Sequence, residues 1–317
     1  MQFWYGMNET DPMGLTACEV AEKKEIEMEL SSKYCAVLCA FLLTGCIGDM
    51  ERDAKPIGFD PVIGHDTRAV VESIPFPEDR TFNVWATAED GTPILAGETV
   101  AHSADGWKAT KQWPDCELMF AAYYPSDLDP VYQPGHGFIL HDFNASDDEV
   151  EVLIAQESTN EEGTSGIHTL HFEHILSRVD FRVKHSLADD IEVKAVKAEL
   201  TGFGLTGDYN VAGDFRWTVD GTDGTITIYD AGQSDGITVD DTAQYIGGEY
   251  LTIPQHCKAE IYVTFLVRIG DGGWVEDRVS TGQLNTQWQP GKQYTYTVNL
   301  TDTKMTYTTG ITSWTSK

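Results

Sequence analysis

Ala259-Glu260-Ile261-Tyr262-Val263-Thr264-Phe265-Leu266-Val267-Arg268-Ile269 alternates residue by residue. In an extended chain Ile261, Val263, Phe265, Val267 and Ile269 point to one side and Tyr262, Thr264, Leu266 and Arg268 to the other, the period of two that a pleated strand imposes. Apolar residues on both sides mark a central strand. Residues 176–185 repeat the period with one wet face, Val179, Phe181 and Val183 opposing Arg178, Asp180 and Arg182. Further alternating runs lie at 81–88, 117–124, 149–155, 191–200, 225–229 and 293–300. Asp-Gly pairs at 90–91, 105–106, 220–221, 223–224 and 271–272 separate them, supplying the left-handed backbone that tight turns need. With no long amphipathic helix and no short repeat, the reading is all-β.

The composition agrees. Thirteen Tyr, 13 Phe and 8 Trp suit half-buried pleated surfaces, and 41% apolar residues are enough for real cores. A chain of 317 residues has room for two domains. The polar stretch Glu157-Ser158-Thr159-Asn160-Glu161-Glu162-Gly163-Thr164-Ser165-Gly166 is the best boundary, giving an N-terminal domain over 69–165 and a C-terminal domain over 166–317, each the size of one β-sandwich. With 51 Asp and Glu against 21 Lys and Arg, the net charge of −30 repels phosphate backbones and anionic lipid, so nucleic acid is not an expected partner. Residues 47–80, rich in Pro, Gly and charge, read as a linker with one possible strand at 68–74.

The N-terminus carries an address. Residues 35–45 are uncharged and mostly apolar, too short to span a bilayer but the length of a signal-peptide core. Leu43-Thr44-Gly45-Cys46 follows and resembles the lipobox of bacterial lipoproteins, which implies a signal peptide over 1–45 and diacylation of Cys46. Glu19, Glu22, Glu25, Glu27 and Glu29 do not suit a basic leader, so translation is expected to start near Met28, with 1–27 outside the protein. Asp49, Glu51 and Asp53 behind the lipidated Cys resemble a surface-export signal, pointing to the outer membrane and cell surface. Of the six cysteines only Cys116 and Cys257 then remain unmodified in the mature chain, and they read as small buried hydrophobes rather than a disulfide.

Several further segments carry a family resemblance. They are Asp66-Thr67-Arg68-Ala69, Phe120-Ala121-Ala122-Tyr123-Tyr124-Pro125, Leu170-His171-Phe172-Glu173-His174-Ile175-Leu176-Ser177-Arg178-Val179, Leu251-Thr252-Ile253-Pro254-Gln255, Trp288-Gln289-Pro290-Gly291-Lys292 and Ile311-Thr312-Ser313-Trp314. In this order, behind a lipobox, they resemble the fimbrillin-like lipoproteins, subunits of type V pili. The resemblance implies two transthyretin-like β-sandwich domains in tandem, trimming by an arginine-specific protease, and head-to-tail polymerisation with other fimbrillin subunits by strand exchange. It places the removed segment at 46–68, with Arg68 before the cut. The donor-strand candidate is the C-terminal stretch carrying Met305, Tyr307, Ile311 and Trp314, a stretch that alternatively closes its own domain. A ligand on a host or bacterial surface would be an adhesin's further partner.

Competing chemistries are weaker. His168, His171 and His174 suggest a metal, yet on a strand His168 and His174 share a face while His171 points away, so neither metal nor cofactor is expected. Asp220-Gly221-Thr222-Asp223-Gly224 is oxygen-rich but lacks EF-hand spacing, and reads as a hairpin turn. Asp147-Asp148-Glu149 offers paired carboxylates with nothing to separate their roles. No G-x-S-x-G, H-E-x-x-H or Walker loop occurs, so no enzymatic activity is expected. Trp107, Trp113, Trp274 and Trp288 lie in or near turns, where they either plug the sandwich ends or stack on sugars; the latter makes a monomeric glycan-binding surface lipoprotein the alternative function.

Overall fold

Each alternating run of the sequence lies in or overlaps a strand, because a period of two can bury its apolar side only against a second layer. The computed structural model describes residues 55–67, 70–146, 151–159, 166–210 and 214–314, all within one compact unit. No α-helix occurs among the described residues; one 3-10 turn spans Asp214–Arg216.

The first ten strands are β1 (Pro56–Thr67), β2 (Val70–Pro75), β3 (Thr81–Ala88), β4 (Pro93–Ser103), β5 (Gly106–Gln112), β6 (Leu118–Tyr124), β7 (Val131–Gln133), β8 (Gly137–Asn144), β9 (Leu153–Thr159) and β10 (Ile167–His174). Eight form one sheet in the order β10-β9-β6-β3-β4-β5-β1-β2, and a further pairing of β1 with β10 closes it on itself. Ile57, Phe59, Phe82, Val84, Phe120, Trp107 and Phe172 fill its interior.

Then follow β11 (Ser177–His185), β12 (Ile191–Phe203), β13 (Thr206–Tyr209), β14 (Trp217–Asp220), β15 (Gly224–Asp230), β16 (Ile237–Val239), β17 (Gln244–Thr252), β18 (His256–Cys257), β19 (Glu260–Ile269), β20 (Val275–Gln283), β21 (Thr286–Gln287), β22 (Lys292–Leu300) and β23 (Met305–Ser313). The sheets β17-β11-β22-β23 and β15-β12-β19-β20, with β16 added to β12, face each other across a second core that includes Phe181, Val263, Phe265, Trp288 and Tyr296.

A third core lies where the two halves meet. In β6, Leu118, Phe120 and Ala122 point into the closed sheet while Ala121 and Tyr123 point outward, against a cluster holding Phe138, Ile175, Trp217, Ile253 and Trp314. Burial on both faces explains the nearly continuous apolar run of that strand. A small sheet, β14-β13-β8-β7, joins the halves by backbone, Leu140 pairing with Tyr209.

Strand pairing carries the first sheet beyond residue 165. The stretch between β9 and β10 connects two hydrogen-bonded neighbours, Phe172 opposite Ala155, and the chain passes to the second half only after His174. A polar Gly-containing loop has the same composition whether it links strands or domains. The turn Asp220-Gly221-Thr222-Asp223-Gly224 also departs from the hairpin reading, since it carries the chain from β14 in the small sheet to β15 in a different one.

Candidate functional site: a strand seat and a one-sided strand

The largest departure from the sequence reading is β1. Residues 56–67 lie in what reads as linker, because Pro56 and Pro61 argue against a strand interior and the glycines and charges suggest a solvated segment. The signal was nonetheless present: Ile57, Phe59, Pro61 and Ile63 alternate with Gly58, Asp60, Val62 and Gly64. In the structure the first set is buried.

β1 lies between two edges. On one side it runs parallel to β10, from Gly58 opposite Ile167 to Ile63 opposite Phe172. On the other it is antiparallel first to β5, Phe59 opposite Trp107, and then to β2, Ile63 opposite Ile74. Pro61 cannot donate, but its carbonyl accepts from the Phe76 amide at 3.0 Å. Phe59 meets Phe82 and Phe120 edge-on, with ring centres 6.0 and 5.7 Å away, and Phe76 packs on Phe172 at 5.0 Å. Burying Ile57, Phe59 and Ile63 stabilises this half by about 1.5–3 kcal/mol per side chain. Thr67 pairs with Val70. Arg68, between them, lies outside the described residues, as does Cys46.

His168 opens β10 beside the seat. It is buried, its Nε2 is 2.9 Å from the Ser158 hydroxyl, and its ring stacks on Phe120 at 4.5 Å. Burial pushes its pKa down to about 4. His174 is buried at the other end of the strand, 3.0 Å from Glu151, and His171 is exposed between them. Among the described residues no three His, Cys, Asp or Glu side chains gather into a metal site.

The C-terminal segment is placed differently. β23 is antiparallel to β22 from Met305–Leu300 to Ser313–Lys292, and its other edge has no strand beside it among the described residues. Met305 is buried in the second core and the Tyr307 hydroxyl donates to the Leu284 carbonyl at 3.1 Å. Thr309 is exposed and Ile311 is 61% exposed. The strand then ends in an anchor. Trp314 is 7% exposed in the core between the halves, stacks on His174 at 4.0 Å with its rings 21° apart, and lies beneath the Arg178 guanidinium.

The tryptophans considered for sugar stacking do other work. Trp107 and Trp288 are buried in the two cores, and Trp113 packs against Phe120. Trp274 is half-buried beside Lys194 at 5.0 Å and Arg268 at 4.7 Å. Cys116 and Cys257 are free and partly buried. The acidic residues 147–149 lie outside the described residues.

Comparison with known proteins places the chain. The profile of the fimbrillin-like family matches residues 67–314, and the chain belongs to that family. A fimbrial protein of Bacteroides vulgatus has a similar structure, with 15% identity and a TM-score of 0.60 over 82% of this chain and 99% of that one. Candidate cell adhesion proteins of Bacteroides ovatus and Bacteroides uniformis superpose with TM-scores of 0.51 each, at 17% and 18% identity, over 83% and 82% of this chain and 99% of theirs. No curated protein matches it.

Proposed function

We propose that this chain is a non-catalytic cell-surface pilus subunit, a lipoprotein anchored through Cys46 in the outer membrane, built of two transthyretin-like β-sandwich domains in tandem. Cleavage after Arg68 would detach β1 with the segment before it and open the seat. The exposed edges of β10 and β5 would then offer unpaired N–H and C=O groups beside an apolar groove, which an extended segment of another copy can satisfy. Such a contact is head-to-tail and does not close, so it grows a filament.

One observation carries this reading. The seat holds, in chain direction, Ile57, Phe59, Pro61 and Ile63, an order of apolar, aromatic, small and apolar at alternate positions. β23 offers the same order in the same direction, Met305, Tyr307, Thr309 and Ile311. A donor strand from another copy would therefore set Tyr307 where Phe59 sits and Ile311 where Ile63 sits, parallel to β10. Release of β23 requires withdrawal of Trp314 from its pocket, so the anchor restrains premature exchange.

Treating purified protein with an arginine-specific protease and running it unheated on SDS gels tests this. A ladder of multimers is expected from the wild type and none from Arg68→Ala. Tyr307→Asp should be trimmed normally and yield no ladder, since it would place a charge in an aromatic groove. An undiminished ladder from Arg68→Ala removes that processing site, and one from Tyr307→Asp removes β23 as the donor.

A further inference from the structure

The two-stranded ribbon of β18 and β21, His256 opposite Gln287, belongs to neither large sheet of the C-terminal half. Its underside is held rigidly. The indole of the fully buried Trp288 donates to the Tyr296 hydroxyl at 2.9 Å, and that hydroxyl donates to Thr286 Oγ1 at 2.9 Å. Burial pushes the Tyr296 phenol up to about 12, so it keeps the proton it donates. Tyr294 donates to the Gln287 carbonyl at 2.8 Å, and Gln255 is tied to both Gly204 N and Gly204 O.

The upper side is the opposite. A cleft of about 650 Å³ opens there, lined by Gln283, Asn285, Gln287, Lys258, His256 and Thr222 among others. The side chains of Gln283, Asn285, Gln287 and Lys258 are exposed and make no hydrogen bond or ion pair among the described residues. Among the described residues no carboxylate lines the cleft, in a chain with 51 of them. Backbone strain gathers here too: Asn285 has φ 44°, and His256 stacks on Phe215, itself at φ 56°. The support fixes the backbone that carries these side chains, and because they face solvent a ligand can pair with them without breaking a contact within the protein.

We propose that this cleft is a saccharide-binding site, selective for a sugar bearing a carboxylate. Amide side chains both donate and accept, matching neighbouring sugar hydroxyls, and the cleft's volume falls in the range of small-ligand sites. Among the described residues Lys258 is the one fully charged side chain in the lining, placed to meet the carboxylate. The net negative charge, which repels an extended polyanion, acts only weakly on a single carboxylate held beside Lys258, because at physiological salt the field of distant charges is screened beyond about 8 Å.

Calorimetric titration of the untrimmed chain with a glucuronate-terminated disaccharide and its glucose-terminated counterpart tests the site. The acidic sugar should bind about fivefold tighter or better. Asn285→Ala/Gln287→Ala should weaken both about tenfold, and Lys258→Gln should remove only the preference for the acid. Gln283→Glu, which adds a carboxylate, should reverse that preference. Lys258, Gln283 and Gln287 are exposed, so their substitutions should leave the melting temperature unchanged, whereas alanine at the positive φ of Asn285 should lower it modestly. Binding of neither sugar, equal affinity for both, or affinities unaffected by these substitutions overturns the proposal. The experiment needs no trimming or polymer, so its outcome is independent of strand exchange.

Discussion

β1 and β23 are both long strands with alternating apolar residues, yet they sit in the fold in opposite ways. β1 is paired on both sides and its apolar set is buried throughout, Phe59 being 4% exposed. β23 is paired on one side among the described residues, its apolar set grows more exposed toward Ile311, and its side chains are held by Met305 and Tyr307 in the first half and by Trp314 beyond its end. Strand pairing alone therefore does not set how firmly a strand is kept. What sets it is how many of its apolar side chains reach a core and how many of its edges are covered.

The sharpest way to break the contrast is to truncate equivalent positions. Phe59→Ala should cost about 3–5 kcal/mol in denaturant unfolding, whereas Ile311→Ala should change the stability of the untrimmed chain by less than about 0.5 kcal/mol. Comparable losses at the two positions would mean β23 is as deeply held as β1. Trp314→Ala should cost about 3 kcal/mol and speed amide exchange along β23 while leaving β1 protected. Unchanged exchange in β23 would show that the anchor restrains nothing.

Acid should separate the two strands more mildly. The folded-state pKa of His168 lies near 4, below the ordinary 6.5, so the unfolded chain binds the proton first. Stability contributed by neutral His168 is fully present above pH 6.5 and is lost as pH falls toward 4, by at most about 3 kcal/mol. Because His168 pairs opposite Phe59, the loss should fall on the β1 seat. His168→Phe should flatten that part of the unfolding profile; an unaltered profile would assign the acid sensitivity elsewhere.

Much of this was legible in the residues. Val179, Phe181 and Val183 are buried as their alternation requires, as are Ile261, Val263 and Phe265, but the face of β11 that reads as wet also holds buried Arg178 and Asp180, and Ile269 at the end of β19 is 63% exposed. The separation of His171 from His168 and His174 followed from strand geometry alone. β1 was hidden because two prolines and two glycines are turn formers in isolation, and only the presence of β10 and β5 on either side gives that segment a ladder to join. The aromatic rings near turns were equally ambiguous, since Trp107 and Trp288 differ from sugar-stacking rings only in what covers them. The cleft over β18 and β21 left no pattern at all, its lining being drawn from segments far apart in the chain.

The sequence by itself determined that this is an all-β chain and where most strands run, because side-chain alternation is a local property of the extended backbone. It also carried the motifs of its family. Only the tertiary structure decided which strand is enclosed and which is left with an open edge, and which aromatic residues are core. Those outcomes depend on neighbours distant in the chain, which local periodicity does not encode.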